Sequence, residues 1–393
     1  MVKKCMKKIA VVTATRAEYG LLEPVIKELR KYESKSITIE LIVTGTHLSA
    51  DFGMTINEIY DAGVRVDKKI VIPTKSDSAI DISENQAKTL VQFTRVFISE
   101  KYDAVVILGD RYEMLAIAVA AGNTKTPLMH LCGGDTTEGA MDEWIRHSIT
   151  KISYLHFVTN IDSLNRVIQL GEDPSRVFNY GSTSIDNILS MEKMSKEDAL
   201  SSVGLANCKY VICTYHPVTM DDVSVERQIF DFLSAIVHYR QLHFIVTKSN
   251  ADQGGRRINE LLDAASEKID NISVYTSLGI RRYLSLMKYA ECVLGNSSSG
   301  IIEAPAFGVP TVNIGDRQKG RLQSDSIINC DTDAEAIIEA IDIALSPNFR
   351  RICEDVVSPY GDGHAAERIA SKIVECVQDG NIDLKKSFYE YRG

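Results

Sequence analysis

Short runs rich in β-branched residues alternate with longer amphipathic stretches along most of this chain. In the stretch 19–31, for example, Leu22, Ile26 and Leu29 recur at three- and four-residue spacing, which predicts a helix. Strand-like runs fall into two series: 8–13, 37–44, 104–108, 128–131, 154–158 and 177–180, then 210–214, 243–247, 272–275, 291–294 and 311–314. Because strands that alternate with helices form parallel sheets, the sequence predicts an α/β protein with two doubly wound domains.

The polar segment 190–198 separates the two series of strands and indicates a domain boundary near residue 186. A chain of 393 residues, at roughly 150 residues per domain, also favours two domains. We therefore predict one Rossmann-like domain over residues 1–185, a second over 186–362, and a separate C-terminal segment over 363–393. Loops at the carboxyl ends of parallel strands carry the ligand sites of such folds, so we expect these loops to face a cleft.

Composition and charge exclude several classes of protein. Apolar residues make up 45% of the chain and charged residues 25%, which excludes a disordered protein. The 44 Lys and Arg against 53 Asp and Glu give a net charge of −9, which excludes a diffuse nucleic-acid-binding surface. The eight cysteines form no C-x-x-C pair, and no apolar run is long enough for a signal peptide or a membrane span. We expect a cytoplasmic protein with no metal, no nucleic-acid partner and no membrane partner.

Two motifs of the first series place charged side chains at strand ends. Arg16 stands where the first strand gives way to a helix, whose N-terminus attracts anions. It is therefore a candidate phosphate ligand, or else a solvated residue of a capping turn. Asp110 and Arg111 follow Gly109 after the strand 104–108, and Asp110 is either a functional carboxylate or a helix N-cap. The absence of G-x-G-x-x-G argues against a dinucleotide-binding site.

A third motif follows the strand 128–131. The Gly-Gly pair in the loop 132–135 lets the backbone approach a ligand closely. Asp142 and Glu143 then open a helix, and His147 lies four to five residues further on, near the same helical face. Carboxylates beside a histidine suit general acid–base catalysis, although acidic residues at a helix start also simply stabilise the helix dipole.

The second series carries its own polar loops. His216 follows the strand 210–214, where it is either functional or a satisfied structural histidine. The loop Gly-Asn-Ser-Ser-Ser-Gly at 295–300 suits a phosphate cradle of backbone N–H groups. Glu303 is expected in the first turn of the following helix, and the basic loop 315–321 comes from the next strand. These loops together favour a nucleotide sugar, with its diphosphate on the second domain and its sugar toward the first.

Taken in order, these motifs resemble the hydrolysing UDP-N-acetylglucosamine 2-epimerases over nearly the whole chain. The matching segments lie at 15–20, 109–111, 133–134, 145–151, 216–217, 295–300, 315–318 and 359–363. The non-hydrolysing epimerases carry a His-Arg-Arg motif after the first strand of the second domain. The segment His216-Pro217-Val218-Thr219 stands there in this chain, which resembles the hydrolysing branch.

The resemblance implies a glycosyltransferase-B-like architecture in which the helix and tail at 363–393 cross back to the N-terminal domain. It implies a homodimer or homotetramer that acts on a UDP-sugar substrate and needs no cofactor. In the chemistry it implies, UDP is eliminated with loss of the sugar C2 proton, leaving a 2-acetamidoglycal. Water then adds so that C2 is inverted, which releases the free 2-epimer and UDP.

The resemblance also assigns roles residue by residue. The acid–base positions are Asp110, Asp142, Glu143 and His216. The substrate- and UDP-binding positions are Arg16, Arg111, Asp135, Arg146, His147, Ser297, Ser298, Glu303, Arg317 and Arg321, with Glu303 on the ribose. Which carboxylate takes the C2 proton stays open at this point.

One position departs from the family pattern. Several members have Glu or His before the Gly-Gly pair and Glu after it, whereas this chain has Cys132 and Asp135. Because a neutral thiol does not copy the charge of a carboxylate, either the sugar C4 or C6 environment differs or the position is not essential. Two substrates therefore stay open: UDP-N-acetylglucosamine, for sialic acid, and UDP-N,N′-diacetylbacillosamine, for legionaminic acid. A glycosyltransferase of the same fold and a nucleotide-sugar-binding protein without chemistry are the remaining alternatives.

Overall fold

The computed structural model describes residues 6–72, 78–137, 141–218, 224–249 and 254–390. Thr219, in the segment that begins at His216, lies outside these residues. The chain divides into two compact units. The first unit comprises Met1–Asp135, Asp142–Asn187 and Tyr360–Gly393, and the second comprises Thr136–Met141 and Ile188–Pro359.

The first unit is built on a parallel sheet that has seven strands within the described residues. The strands are β1 (Lys7–Thr13), β2 (Ile37–Val43), β3 (Lys68–Lys69), β4 (Ala104–Leu108), β5 (Leu128–Leu131), β6 (Leu155–Val158) and β7 (Val177–Asn179). They lie in the order β3-β2-β1-β4-β5-β6-β7, so the sheet grows outward in both directions from β1 and β4. The helices are α1 (Arg16–Arg30), α2 (Ile56–Asp61), α3 (Ala79–Glu100), α4 (Tyr112–Thr124), α5 (Asp142–Ile152), α6 (Ile161–Gln169) and α7 (Thr183–Ser190).

The second unit repeats this plan with a parallel sheet of six strands among the residues described. The strands are β8 (Tyr210–Thr214), β9 (His243–Thr247), β10 (Ile272–Tyr275), β11 (Cys292–Gly295), β12 (Thr311–Ile314) and β13 (Ile327–Cys330), in the order β10-β9-β8-β11-β12-β13. The helices are α8 (Lys196–Ser201), α9 (Val225–His238), α10 (Gly255–Ser266), α11 (Gly279–Tyr289), α12 (Ser298–Ile302), α13 (Ala334–Leu345) and α14 (Pro347–Glu354).

Both sheets are buried on their two faces. All five residues of β4 and all five of β8 are buried, which explains why these strands read as continuous apolar runs instead of alternating ones. The prediction of parallel sheets from alternating strand-like and helical stretches is confirmed. Each predicted strand is present, with its ends within one residue of the prediction, and β3 and β13 are the two that the sequence did not predict.

A last helix, α15 (Ala365–Asp379), belongs to the first unit and packs against α1. Its buried face, which includes Ile369 and Ile373, joins the same apolar core as Leu22 and Ile26 of α1. The carboxylate of Asp186 accepts hydrogen bonds from the backbone N–H groups of the first two residues of α15, at 3.2 and 2.8 Å. A remote carboxylate thus caps the helix N-terminus.

The segment after α15 is docked on the first unit, the side to which the family resemblance implied that the helix and tail at 363–393 return. Lys386 Nζ pairs with the carboxylate of Glu172, whose side chain is fully buried, and it donates to the carbonyl of Ser153 at 2.7 Å. The ring of Phe388 lies where a Cβ on Gly171 would stand, and Tyr389 N donates to Gly171 O at 2.9 Å. No helix in the described part of the chain is long and apolar enough to span a bilayer.

Candidate active site

The turn between β1 and α1 is fixed by a buried capping box. Thr15 is the N-cap of α1, and its side chain accepts from the backbone N–H of Glu18. The Glu18 carboxyl is buried, and its Oε2 accepts from the backbone N–H groups of Ala14 and Thr15 at 2.9 and 3.1 Å. Burial raises the pKa of Glu18 to about 8. Arg16 is the first helical residue and is half-buried, so this turn presents the arginine at the end of β1.

Asp110 follows the strand β4 but does not cap the next helix. Gly109 takes a φ of +90° and turns the chain out of the sheet. The N-cap of α4 is Arg111, which makes no side-chain capping bond, so the N-cap interpretation of Asp110 is wrong. Arg111 is 8% exposed, and its Nε lies 3.4 Å from Oε2 of the buried Glu113. Arg111 therefore forms part of a buried charge cluster under the loop.

One buried guanidinium joins the acidic residues of the first unit. Arg146 is 0% exposed. Its Nε donates to Asp110 Oδ2 at 3.1 Å, and its Nη2 contacts the same oxygen. Its Nη1 donates to Glu143 Oε2 at 3.2 Å and to the carbonyl of Asp135 at 2.7 Å. Burial lowers the pKa of Arg146, but the carboxylates of Asp110 and Asp135 together raise it further, so the residue stays charged.

The start of α5 presents a second charged pair. Asp142 and Glu143 open the helix, as the sequence predicted, and both are half-buried. Glu143 Oε1 lies 3.2 Å from His147 Nε2, one helical turn further on. The carboxylate of Glu143 therefore bridges a guanidinium and an imidazole, and Asp142 adds to the field that keeps Arg146 charged.

The Gly-Gly pair before Asp135 is explained by packing inside the first unit. A Cβ on Gly134 would lie 2.3 Å from the carbonyl oxygen of Ser163, and one on Gly133 would lie 3.0 Å from His130 Nδ1. Asp135 is buried, and its Oδ1 accepts from the hydroxyls of Thr159 and Ser163 at 3.0 and 2.6 Å. These contacts hold the loop in place, so the glycines are required without any ligand.

In the second unit, the loop after β11 holds His216. The side-chain Oδ1 of Asn296 accepts from His216 N at 2.7 Å, and its Nδ2 donates to His216 O at 2.8 Å. His216 is 7% exposed, and its Nδ1 lies 3.2 Å from Ser249 Oγ, just beyond β9. Asn296 and Ser249 were missed as site residues, although both stand just after a strand, which was the available signal.

The serines of the same loop begin a very short helix. Ser297 is the N-cap of α12, which contains five residues from Ser298 to Ile302. The expectation that Glu303 lies in the first turn of this helix was wrong, because α12 ends at Ile302, one residue before Glu303. The Glu303 carboxylate accepts from Ser299 Oγ at 2.6 Å, and Ser299 Oγ lies 2.8 Å from Tyr283 Oη.

The basic loop after β12 also binds the loop that follows β11. Arg317 is 8% exposed and donates from Nη1 to the carbonyl of Asn296 at 3.2 Å, and Gln318 Nε2 donates to the same oxygen at 2.8 Å. Arg321 Nε donates to Thr136 O at 2.9 Å. Arg317 therefore binds the loop that contains Ser297 and that also holds His216 through Asn296. Arg321 binds the backbone of Thr136 instead.

A cavity of about 700 Å³ opens beside Arg321. Its charged lining combines Lys319 and Arg321 with Asp316, Asp331 and Glu339. Because three acids face two cations, the cavity lacks the positive field that a diphosphate requires. Among the groups expected to bind the diphosphate, Ser297 and Ser298 lie in the loop after β11 and Arg317 binds its backbone, while Arg16 lies in the first unit.

The chain is similar to known proteins over most of its length. The sequence profile described as UDP-N-acetylglucosamine 2-epimerase matches residues 28–374. The chain belongs to this family. A family relative named GDP/UDP-N,N′-diacetylbacillosamine 2-epimerase (hydrolyzing), from Campylobacter jejuni, is 38% identical over 98% of this chain and 99% of its own. The polysialic acid biosynthesis protein P7 of Escherichia coli is 37% identical over 98% of both chains.

Solved structures of UDP-N-acetylglucosamine 2-epimerases share the fold. The Methanocaldococcus jannaschii enzyme in complex with UDP-GlcNAc and UDP matches with a TM-score of 0.78 and 21% identity, covering 94% of this chain and 99% of its own. The putative enzyme of Listeria monocytogenes matches with a TM-score of 0.79 and 20% identity, covering 96% and 98%. The fold class predicted for this chain is thereby confirmed: it has two Rossmann-like domains and a glycosyltransferase-B-like fold.

Proposed function

We propose that the chain is a hydrolysing 2-epimerase, which converts a UDP-linked 2-acetamido sugar and water into the free 2-epimer and UDP. The observation that carries this proposal is the carboxylate pair Asp110 and Glu143, joined through the buried guanidinium of Arg146. Relatives named as hydrolysing are 38% and 35% identical to the chain. Relatives at 24% and 22% identity bear the name UDP-N-acetylglucosamine 2-epimerase without that term.

The proposed reaction needs two proton transfers at the sugar. In the first step a base takes the C2 proton, the C2–H electron pair forms the C1=C2 bond, and the C1–O bond breaks with its electron pair leaving on UDP. In the second step an acid delivers a proton to the opposite face of C2, water adds its oxygen to C1, and the proton that this water loses passes to a carboxylate or to solvent. Two carboxyl groups with different partners suit these two roles.

Asp110 and Glu143 are the groups that we assign to these transfers. Their side chains are 25% and 29% exposed, so both reach solvent and can touch a substrate. Glu143 also contacts His147, which offers a route for a proton to leave or to arrive. Asp142 and His216 remain further acid–base candidates of the proposal.

Arg146 acts in this proposal as a positioning residue. Because none of its surface is exposed, it does not reach a substrate directly, although the family resemblance suggested a binding role. Its five-donor fork fixes Asp110, Glu143 and the backbone of Asp135 in one arrangement. Holding catalytic groups in this way removes part of the entropic barrier to the reaction.

The second unit supplies the proposed UDP-binding groups. Ser297 and Ser298 offer hydroxyls and backbone N–H groups at the start of α12, and Arg317 is held against the same loop by the carbonyl of Asn296. A guanidinium near the departing diphosphate stabilises the charge that develops on it. Glu303 is the proposed acceptor for the ribose hydroxyls, and Arg16 adds a further phosphate ligand.

The test compares two substrates in one UDP-release assay. We expect the purified protein to release UDP from UDP-N-acetylglucosamine or from UDP-N,N′-diacetylbacillosamine, which the names of the relatives from Campylobacter jejuni and Legionella pneumophila support. Asp110→Asn is expected to lower kcat by about 100-fold or more. Asp103→Asn is the matched control, because Asp103 binds Lys7 and the backbone of Lys8. Release of UDP from neither sugar, or an Asp110→Asn variant as active as the control, contradicts the proposal.

A further inference from the structure

The imidazole of His130 contacts two loops of the first unit, the loop that follows β4 and the loop that follows β5. His130 lies in β5 and is 0% exposed. Its Nε2 stands 2.8 Å from the carbonyl oxygen of Gly109, the residue that precedes Asp110. On its other side, the ring packs against Gly133, where a Cβ would stand 3.0 Å from Nδ1 and 3.3 Å from Cε1.

The chemistry of this contact fixes the state of the ring. Burial lowers the pKa of His130 to about 4, so the imidazole is neutral near pH 7. A carbonyl oxygen only accepts hydrogen bonds, so the proton of the neutral ring must lie on Nε2. Nδ1 has no hydrogen-bond partner among the residues that the structure describes, which agrees with that tautomer.

The hydrogen bond acts on a backbone carbonyl at the point where the strand β4 ends. The last paired residue of β4 is Leu108, and Gly109 then turns with a φ of +90°. The N–H of Gly109 still donates to Leu131 O of β5 at 3.1 Å, whereas its carbonyl accepts from the buried ring of His130. His130 therefore holds the peptide group that joins Gly109 to Asp110, while Arg146 binds the Asp110 carboxylate.

We propose that His130 is a positioning residue for the epimerase reaction, which holds the Gly109 carbonyl and thereby the carboxylate of Asp110. This inference rests on the proposed function of Asp110. His130 does not touch the substrate, because its ring is fully enclosed. A shift of the Asp110 carboxylate by about 1 Å is enough to lower a rate by roughly 100-fold.

The neighbouring strand provides a matched control. His156 lies in β6 and is the register partner of His130. It is also 0% exposed, but its Nε2 faces Glu172 Oε2 at 2.9 Å and not the loop that precedes Asp110. Substitution of either histidine removes a buried imidazole from the same sheet, so a general loss of stability is expected from both, and a loss of kcat from His130 alone.

The experiment measures kcat, KM and melting temperature for His130→Leu, His130→Gln and the control His156→Gln. We expect His130→Leu to lower kcat by 10- to 100-fold with KM for the UDP-sugar changed by less than about threefold. His130→Gln is expected to stay within about threefold of the wild-type kcat, because the amide Nε2 reaches the same carbonyl. His156→Gln is expected to keep the wild-type kcat even where its melting temperature falls.

Two results overturn the inference. One is a folded His130→Leu variant with the kcat of the wild type, and the other is equal loss of kcat in the Leu and Gln variants. If His130→Leu does not fold, ¹⁵N NMR of histidine-labelled wild-type protein decides: a proton on Nε2 supports the hydrogen bond, and a proton on Nδ1 overturns it. Absence of UDP release by the wild type contradicts the proposed function instead, and the NMR measurement separates the two failures.

Discussion

The side-chain amide of Asn296 bonds both backbone polar groups of His216, accepting from its N–H at 2.7 Å and donating to its carbonyl at 2.8 Å. These two hydrogen bonds take the place of backbone pairing beyond the ends of β8 and β11. Because the same Asn296 carries the carbonyl that Arg317 and Gln318 bind, one residue fixes three neighbouring loops. The proposed catalytic and diphosphate-binding groups of the second unit therefore share one support.

Asn296→Ala is expected to lower kcat by 10- to 100-fold and to raise KM for the UDP-sugar, because His216 loses both backbone contacts. We expect a loss of stability of about 1–3 kcal/mol, since two buried backbone groups lose their partners. Asn271→Ala is the matched control, as the Asn271 side chain also makes two hydrogen bonds to the backbone, donating to the carbonyls of Tyr239 and Leu242. Equal kinetic effects in the two variants contradict the supporting role of Asn296.

Arg146→Lys is expected to lower kcat by about 100-fold while the protein stays folded. A lysine keeps the positive charge but cannot bind Asp110, Glu143 and the Asp135 carbonyl at once, because it lacks the planar fork of donors. Steady-state kinetics and circular dichroism check this prediction. A variant with wild-type kcat shows that charge alone suffices, and that the fixed geometry is unnecessary.

The site illustrates what local sequence pattern can and cannot predict. The strands and the loops after them follow from the alternation of apolar runs and helical periodicity. Arg146, by contrast, was expected to bind substrate, and its complete burial depends on carboxylates 3 and 36 positions away. Its partner Asp110 had the ordinary sequence position of an N-cap, but the N-cap of α4 is the next residue, Arg111, and the Asp110 carboxylate binds Arg146 instead.

The missed strands have a similar physical cause. The strand β3 consists of two lysines at one edge of the first sheet, and β13 is only partly buried at one edge of the second sheet. Edge strands need not form continuous buried runs, so the apolar signal that indicated the central strands is weak there. Glu303 was expected in the first turn of a helix that follows the loop 295–300, whereas α12 begins within that loop at Ser298 and ends at Ile302.

Glu18→Gln is expected to flatten the pH dependence of stability between about pH 5 and pH 8. The pKa of Glu18 is raised in the folded state to about 8, above the 4.5 of an unburied glutamate, mainly by burial. The folded state therefore holds the proton that the unfolded state loses, so stability is fully present below pH 4.5 and falls as pH rises toward 8. The loss is on the order of 4–5 kcal/mol, at about 1.4 kcal/mol per pKa unit, and glutamine, which is always neutral, avoids it.

Chemical denaturation of the wild type and Glu18→Gln at several pH values measures this difference. The two free energies of unfolding should diverge as pH rises, with the variant becoming relatively more stable. Parallel curves contradict a protonated Glu18 in the folded protein. Glu28→Gln serves as a control, because Glu28 pairs with Lys31 at the surface of the same helix.

Lys386→Met is expected to destabilise the protein by about 1–3 kcal/mol without changing kcat. Glu172 is fully buried and shares its carboxylate among Lys386, Lys151 and His156, so loss of one lysine leaves it less well compensated. Lys385→Met is the adjacent control, since Lys385 is exposed. Urea denaturation checks the prediction, and equal stability of both variants contradicts a structural role for the docked C-terminal segment.

The proposed reaction inverts C2 of a UDP-linked 2-acetamido sugar while UDP is released. Proton NMR of the reaction in D₂O, run with UDP-N-acetylglucosamine and UDP-N,N′-diacetylbacillosamine in parallel, follows both events in one experiment. We predict that one of these sugars yields UDP and the free 2-epimer with deuterium at C2. A free sugar that keeps its C2 configuration and proton, or a UDP-linked epimer formed without release of UDP, would contradict the account.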